Sequence, residues 1–315
     1  MLSRIGNSLF WLGRYMERAE HIARYTKVQY VSSLDAPYAQ SREFVLESIL
    51  DMIGISFQYY AYYPQLSDED VLFFVTLDEN NPLSIHSNIG YIRENARGAR
   101  DSISHELWEA INRFYHTMNR YTATKLQNEG IHEFSQKVEE NSSVLKGCID
   151  NTLMRNEAWL LICLGIHMER AIQVARILIT KIKDIDKIDP SKLGGPVENY
   201  QWTTLLKGAE SFDMNKRHYK ANPNRRNSLE FLIFNQAFPK SIAYNLDMVH
   251  KNIQYIAFHD EKGSGSLDFV AGKLASQFKY TTIEETEKQV TEFLTGTLEK
   301  INQMATMLLE KHLIY

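Results

Sequence analysis

A chain of 315 residues with 44% hydrophobic and 23% charged residues carries enough apolar material for a sizeable core and lies outside the composition of disordered or low-complexity proteins. Only 15 glycines and 7 prolines interrupt it, which favours helix. The net charge of −4, a pI near 6.2 and the lack of a dense Lys/Arg tract exclude the electrostatic footprint of a nucleic-acid binder.

Apolar residues recur at close to the helical period throughout, and strand-like alternation is hard to find, so the chain reads as all-α. The spacing predicts helices over 2–32, 42–60 and 68–77, then a long segment over 82–125 with Pro82 at its start. Further helices are expected over 156–182, 197–212 and 228–234, with a segment from Pro239 and a last helix from 283 to the C-terminus. Loops are expected over 184–196, 222–227 and 260–266, where Gly, Pro and Asn gather. The first helix is interrupted by Arg4 and Arg14 and has no signal-peptide pattern, and the most apolar run, 158–168, is too short to span a bilayer. Neither export nor a membrane span is expected. Cys148 and Cys163 form no CxxC pair, which fits a reducing cytoplasm better than a disulfide framework.

Met-Glu-Arg-Ala occurs twice, at Met16–Ala19 and Met168–Ala171, inside segments 12–24 and 164–176 that agree at eight of thirteen positions. A second anchor aligns Phe74, Pro82, Ser84, Ile85 and Asn88 with Phe231, Pro239, Ser241, Ile242 and Asn245 at an offset of 157. Between them Leu50, Ser56 and Phe57 match Leu205, Ser211 and Phe212 at an offset of 155. The expectation is one domain over 1–315, a single multi-helix bundle of two pseudo-symmetric repeats, about 1–135 and 136–315.

The two copies differ in surroundings. Ile5, Leu9, Leu12, Met16, Ala19 and Ala23 make one apolar face of the first helix, with Asn7, Arg14, Glu17, Arg18, His21 and Tyr25 opposite, as in an ordinary amphipathic helix. In the second copy Trp159, Ile162, Ile166 and Ile177 replace Asn7, Phe10, Arg14 and Tyr25, so that helix should be buried nearly all round. Buried charge must find a partner, a wet cavity or a ligand. The candidates are Glu17, Arg18 and Arg24 with Glu169, Arg170 and Arg176, either as an ion network fixing register, with Glu17 and Glu169 exchanging Arg170 and Arg18 across a pseudo-twofold axis, or as a ligand pocket. A third cluster, Arg93, Glu94, Arg97 and Arg100, places three guanidiniums on one helix face. That arrangement suits a carboxylate or phosphate, or else a solvated salt-bridged surface.

Catalytic motifs are scarce. Glu129 and His132 have one half of a di-iron Glu-x-x-His pattern, but Gly130 lies between them, and Glu17 with His21 lacks an HExxH, so no metal site is expected. Phosphate-binding glycine loops and a G-x-S-x-G elbow are absent from the sequence, and no cofactor is implied.

Trp11–Arg24 with the pattern W-x-x-R-Y-x-E-R-A-E-x-x-A-R, the RENAR stretch ending at Arg97, the IS-x-E-x-WE-x-x-N run at Ile103–Asn112 and the second MERA together resemble the bacterial alpha-E domain family over nearly the whole chain. Gly6-Asn7 and Ile166-His167 depart from that family's usual pattern. The resemblance implies a helical domain with a Glu-Arg motif, encoded beside a circularly permuted ATP-grasp ligase and a transglutaminase-like protein, and hence a part in making, modifying or recognising a peptide. Two classes of function follow. One is a non-catalytic binding or scaffolding protein for a peptide or for the ligase. The other is a peptide or amide-bond enzyme with Glu17 or Glu169 as acid or base.

Overall fold

The computed structural model describes residues 3–35, 41–188, 195–256 and 263–313, and its regular elements are all helical, with no strand among the described residues. Two long helices, α1 (Ser3–Asp35) and α8 (Glu157–Asp186), pack on each other and form the axis of the bundle. Their closest approach is set by two glycines: a Cβ on Gly13 would lie 2.2 Å from the Ile162 carbonyl oxygen, and one on Gly165 would lie 2.1 Å from that of Phe10. Only hydrogen fits there, so backbone meets backbone.

Around α1 stand α2 (Arg42–Ile53), α5 (Ile85–Gly98) and α7 (Ala123–Thr152), while α3 (Ser56–Tyr62), α4 (Asp68–Thr76) and α6 (His105–Met118) lie farther out. Around α8 stand α9 (Gly195–Gly208), α12 (Ile242–Ile256) and α15 (Val290–His312), with α10 (Phe212–Tyr219), α11 (Arg225–Phe234), α13 (Leu267–Tyr280) and α14 (Ile283–Thr286) completing the set. Each of α2 and α9 touches both α1 and α8. Buried residues from α1 through α15 form one contiguous core.

Several boundaries differ from the periodicity. The expected helix over 42–60 breaks at Gly54, whose φ of 79° is left-handed, and restarts as α3. Pro82 does not open α5; Ser84 does, its Oγ accepting from the Ser87 N–H at 3.1 Å. The segment over 82–125 is two helices, because α5 ends at Gly98 and Ser104 caps a new start for α6. Phe212 begins α10 instead of ending its predecessor. Two helices, α7 and α13, lie where the spacing assigns no element. The repeat boundary expected near 135 falls inside α7, and the helical path next breaks at 153–156. Parts of the loops expected over 184–196 and 260–266, and the last two residues, lie outside the described residues; α8 itself continues to Asp186.

Helix α8 is buried nearly all round, as its composition requires, with Ile162, Ile166 and Ile177 in the core and Trp159 half-buried. Its full length, beyond the apolar run 158–168, makes it the one described helix long and apolar enough to cross a membrane, and 78% of that window is buried inside the bundle. The same burial extends to α1, which corrects the amphipathic reading: Arg14, Glu17, His21 and Tyr25 on its polar face are buried. A wheel separates polar from apolar residues, yet cannot distinguish a face turned to water from one turned to ionic partners.

Candidate functional site

The crossing of α1 and α8 brings the two Glu-Arg dipeptides together in a reciprocal exchange. Arg18 donates from Nε to Glu169 Oε1 at 2.7 Å and from Nη2 to Oε2 at 3.0 Å. In the opposite direction Arg170 donates from Nε to Glu17 Oε1 at 2.7 Å and from Nη2 to Oε2 at 2.9 Å. Each carboxylate thus receives a planar fork from the other helix, the strongest geometry an ion pair offers. Both glutamates are sealed, at 2% exposure for Glu17 and none for Glu169.

The flank that holds Glu169 adds Arg14, whose Nε donates to Oε2 at 2.7 Å, and Gln173, whose Nε2 donates to Oε1 at 2.7 Å. Arg14 lies over the Trp11 ring at 5.2 Å and Arg18 over Tyr15 at 5.5 Å, so aromatic faces share the cationic charge. The flank that holds Glu17 is larger. Lys146 of α7 reaches Glu17 at 3.1 Å and also contacts Glu20, which pairs with Arg24. Arg24 lies 3.1 Å from Glu210 and 3.9 Å from Glu139; Lys240 contacts Glu210, and Lys27 contacts Glu139 at 2.5 Å. Four carboxylates there meet five cations from α1, α7, α8 and the segments flanking α10 and α12.

Burial pushes the Glu169 carboxyl up, and the Arg14 and Arg18 guanidiniums overcome it, holding the group well below the usual carboxylate range. Burial likewise opposes Glu17, where Arg170 and Lys146 win. Both remain ionised at neutral pH, fully paired and without solvent. That geometry removes the roles of general acid and base assigned to them in the enzymatic alternative, because a proton-transfer group needs a reachable proton and a pKa near the working pH.

Of the Arg93, Glu94, Arg97 and Arg100 cluster, Glu94 joins Arg93 at 3.3 Å and Arg97 at 2.5 Å, while Arg100 stands apart. Helix α5 ends at Gly98, so Arg100 sits in a following 3₁₀ turn, outside the helical phase that would align it. Arg93 donates to Asn112 Oδ1 at 2.9 Å and lies 4.8 Å from the Tyr115 ring; Arg97 pairs with Glu94 at 2.5 Å and is 67% exposed; Arg100 lies over Trp108. These are local surface contacts, and none of their hydrogen bonds or ion pairs reaches Glu17 or Arg18. Glu129 pairs with Lys137 and accepts from Tyr121, and Gly130 takes a φ of 78° at a kink in α7, so Glu129 and His132 do not share a helix face. Among the described residues no group of His, Cys, Asp and Glu is placed to hold a metal ion.

Sequence reasoning missed Lys146, Glu139, Glu210 and Lys240, which lie far from the motif in the chain and carry no local signal. It also missed a second buried polar system. Lys181 donates to Gln201 Oε1 at 3.0 Å and to Gln29 Oε1 at 3.4 Å, and Ser48, which contacts Tyr25, donates to Asp184 Oδ2 at 2.6 Å. Burial pushes the Lys181 ammonium down to about 8.

Two histidines beside the network are expected to make it acid-sensitive. Burial, then Arg24, pushes His21 down to about 3, with Glu17, Glu20 and Lys240 also facing it; burial, then Arg170, pushes His167 down to about 4, with Glu17 and Asp150 facing it. His167 donates Nδ1–H to Asn245 Oδ1 at 2.8 Å, which suits the neutral ring. Both folded values lie below the unfolded one of 6.5, so the unfolded chain binds more protons between them and stability falls as pH drops through that window. The expected loss between pH 6.5 and 5 approaches ~1.4 kcal/mol per pH unit for each histidine. Urea unfolding across that range measures it, and His21→Asn should remove about half the slope; an unchanged slope would refute the assignment.

A family model for a predicted alpha-helical domain with a conserved ER motif matches residues 1–313. No curated protein and no solved structure matches the chain.

Proposed function

The chain belongs to the Alpha-E family, and from that premise we propose that it is a binding or scaffolding protein that holds a peptide for an ATP-grasp-type ligase and a transglutaminase-like partner during peptide synthesis or modification. One observation carries the non-catalytic part of this reading: the family's Glu-Arg dipeptides are spent on each other across α1 and α8, paired and sealed. The motif in this view is a register device, and recognition belongs to the surfaces it holds in place. The proposed setting is the cytoplasm, without nucleic acid or membrane as partner. Free Cys148 and Cys163 and the net charge of −4 agree with it.

The proposal includes one domain over 1–315 made of two repeats, one from α1 to α7 and one from α8 to α15, joined at 153–156. Support comes from the element order, from the reciprocal Glu-Arg exchange and from the paired glycines Gly13 and Gly165, which correspond at the motif offset of 152. The turns after α2 and α9 agree too: Ile55 N–H donates to Leu50 O at 3.2 Å, and Ser211 N–H to Leu206 O at 2.8 Å. That shared turn sets the local offset at 156, one more than identity matching gives.

Co-purification tests the partner reading. The tagged chain, co-expressed with an ATP-grasp-type ligase from the same genome, is expected to retain the ligase through size-exclusion chromatography or to raise its turnover on a peptide acceptor. A ligase that neither binds nor responds would overturn it.

A further inference from the structure

Arg24 and Arg176 occupy corresponding positions in the two copies of the motif, yet their surroundings are opposite. Arg24 is 3% exposed and meets Glu20, Glu210 and Glu139. Arg176 has no hydrogen-bond or ion-pair partner among the described residues and lines a half-open cavity of about 350 Å³ between α2, α8 and α15.

Several walls of that cavity are the counterparts of the Arg24 network with its charges removed, while Asp51, Lys183 and Asp184 bring charges of their own. Where the turn after α9 has Glu210 at a φ of 49°, the turn after α2 has Gly54 at a φ of 79°. Leu83 stands at the position of Lys240 by the offset of 157 shared with the Ser84 and Ser241 pair, and Ile179 at that of Lys27 by the motif offset. The buried faces of α7 and α15 run in one register, Val138 with Thr297, Ser142 with Ile301, Leu145 with Met304, so Leu298 corresponds to Glu139. Ile172 replaces Glu20. Every carboxylate that neutralises Arg24 is missing at Arg176, the guanidinium is kept, and open space stands where the carboxylate of Glu210 would project, since nothing lies within 4 Å of a Cβ built on Gly54.

We propose that the Arg176 cavity binds a monocarboxylate with an apolar body, such as a short peptide ending in an apolar residue, whose carboxylate takes the place that Glu210 fills beside Arg24. A guanidinium with free donors recognises a planar carboxylate by its fork. Met52, Ile53, Leu83, Ile179 and Leu298 supply apolar wall for the body of such a ligand. In the same lining Asp51 and Asp184 balance Arg176 and Lys183, so the cavity carries no surplus of positive charge for a dianion, which separates this ligand from phosphate. On the Glu169 flank Arg14 and Arg18 pair with the carboxylate and Arg176 adds a third guanidinium outside that pairing, so an added anion is electrostatically welcome; burial lowers the Arg176 guanidinium from its ordinary value, and Glu169 opposes that. The site uses the repeat correspondence above and does not depend on a ligase partner, so a negative co-purification leaves it standing.

The probes are alanyl-leucine, its C-terminal amide and inorganic phosphate, titrated into the full chain by calorimetry and thermal unfolding. The free acid is expected to bind and to raise Tm with concentration, and the amide and phosphate are not. Arg176→Gln should weaken the acid at least tenfold while leaving Tm without ligand unchanged or higher, since it removes an unpaired charge. Gly54→Glu should abolish binding by restoring the internal carboxylate; if that variant does not fold, Arg176→Gln decides alone. Equal binding of acid and amide, phosphate binding in place of the acid, no binding of the acid to the parent chain, or undiminished binding in Arg176→Gln would each overturn the proposal.

Discussion

Replacing Glu169 by glutamine is expected to lower the unfolding free energy by about 3–5 kcal/mol, although the side chain keeps its shape. The cost comes from what is left behind. Arg14 and Arg18 have 7% and 14% of their side chains exposed, and Glu169 is the carboxylate on which both converge. Without it two guanidiniums stay desolvated with no counter-charge, and that penalty exceeds what the pair contributes when intact. Urea unfolding at pH 7 should show a lower midpoint with an unchanged m value. Adding Arg18→Met to the same chain should recover part of the loss, because removing both partners leaves less buried charge unpaired, and the double-mutant cycle isolates that coupling. A loss below about 1 kcal/mol would place the pair among exposed ion pairs and refute the sealed network.

Gly13→Ala and Gly165→Ala are each expected to destabilise by roughly 3 kcal/mol or more. The added carbon would lie 2.2 Å or 2.1 Å from a backbone carbonyl oxygen of the facing helix, where no side-chain rotamer offers relief. The helices must separate, and separation lengthens the Glu-Arg forks on both flanks at once. Gly90→Ala in α5 is the control: a Cβ there meets nothing within 4 Å, and alanine is the better helix former by up to about 1 kcal/mol. Thermal unfolding of the three variants separates the effects. If Gly13→Ala proves as benign as Gly90→Ala, the backbone contact is not what fixes the crossing.

Helical class and the burial of α8 were legible because both depend on local composition: a long apolar run and a period near 3.6 survive any tertiary arrangement. The Glu-Arg exchange was legible as a possibility, since buried charges on two like helices demand partners. The depth of α1 was not, because its polar face is satisfied by Lys146, Arg170 and Glu169 from distant segments. Helix α7 escaped because polar Ser135 and Ser142 occupy core positions and weaken its apolar stripe. Arg100 was misplaced for a purely local reason: three residues share a helix face only while the helix lasts, and α5 stops at Gly98. The openness around Arg176 is invisible in sequence, because it depends on residues missing at Gly54, Leu83 and Leu298, and absence becomes meaningful only beside the filled site at Arg24.

The partners in the two Glu-Arg pairs lie 151 and 153 residues apart in the chain, and that separation imposes an order on biosynthesis. At about 5–20 residues per second, α8 leaves the ribosome about 8–30 seconds after α1. During that interval Arg18 lacks its carboxylate and Glu17 can meet only Lys146, while α2, α5 and α7 are the helices already available to cover α1. The closing of so long a loop must precede any gain from the forks. The face of α1 that carries the forks therefore completes its packing late, on the arrival of α8.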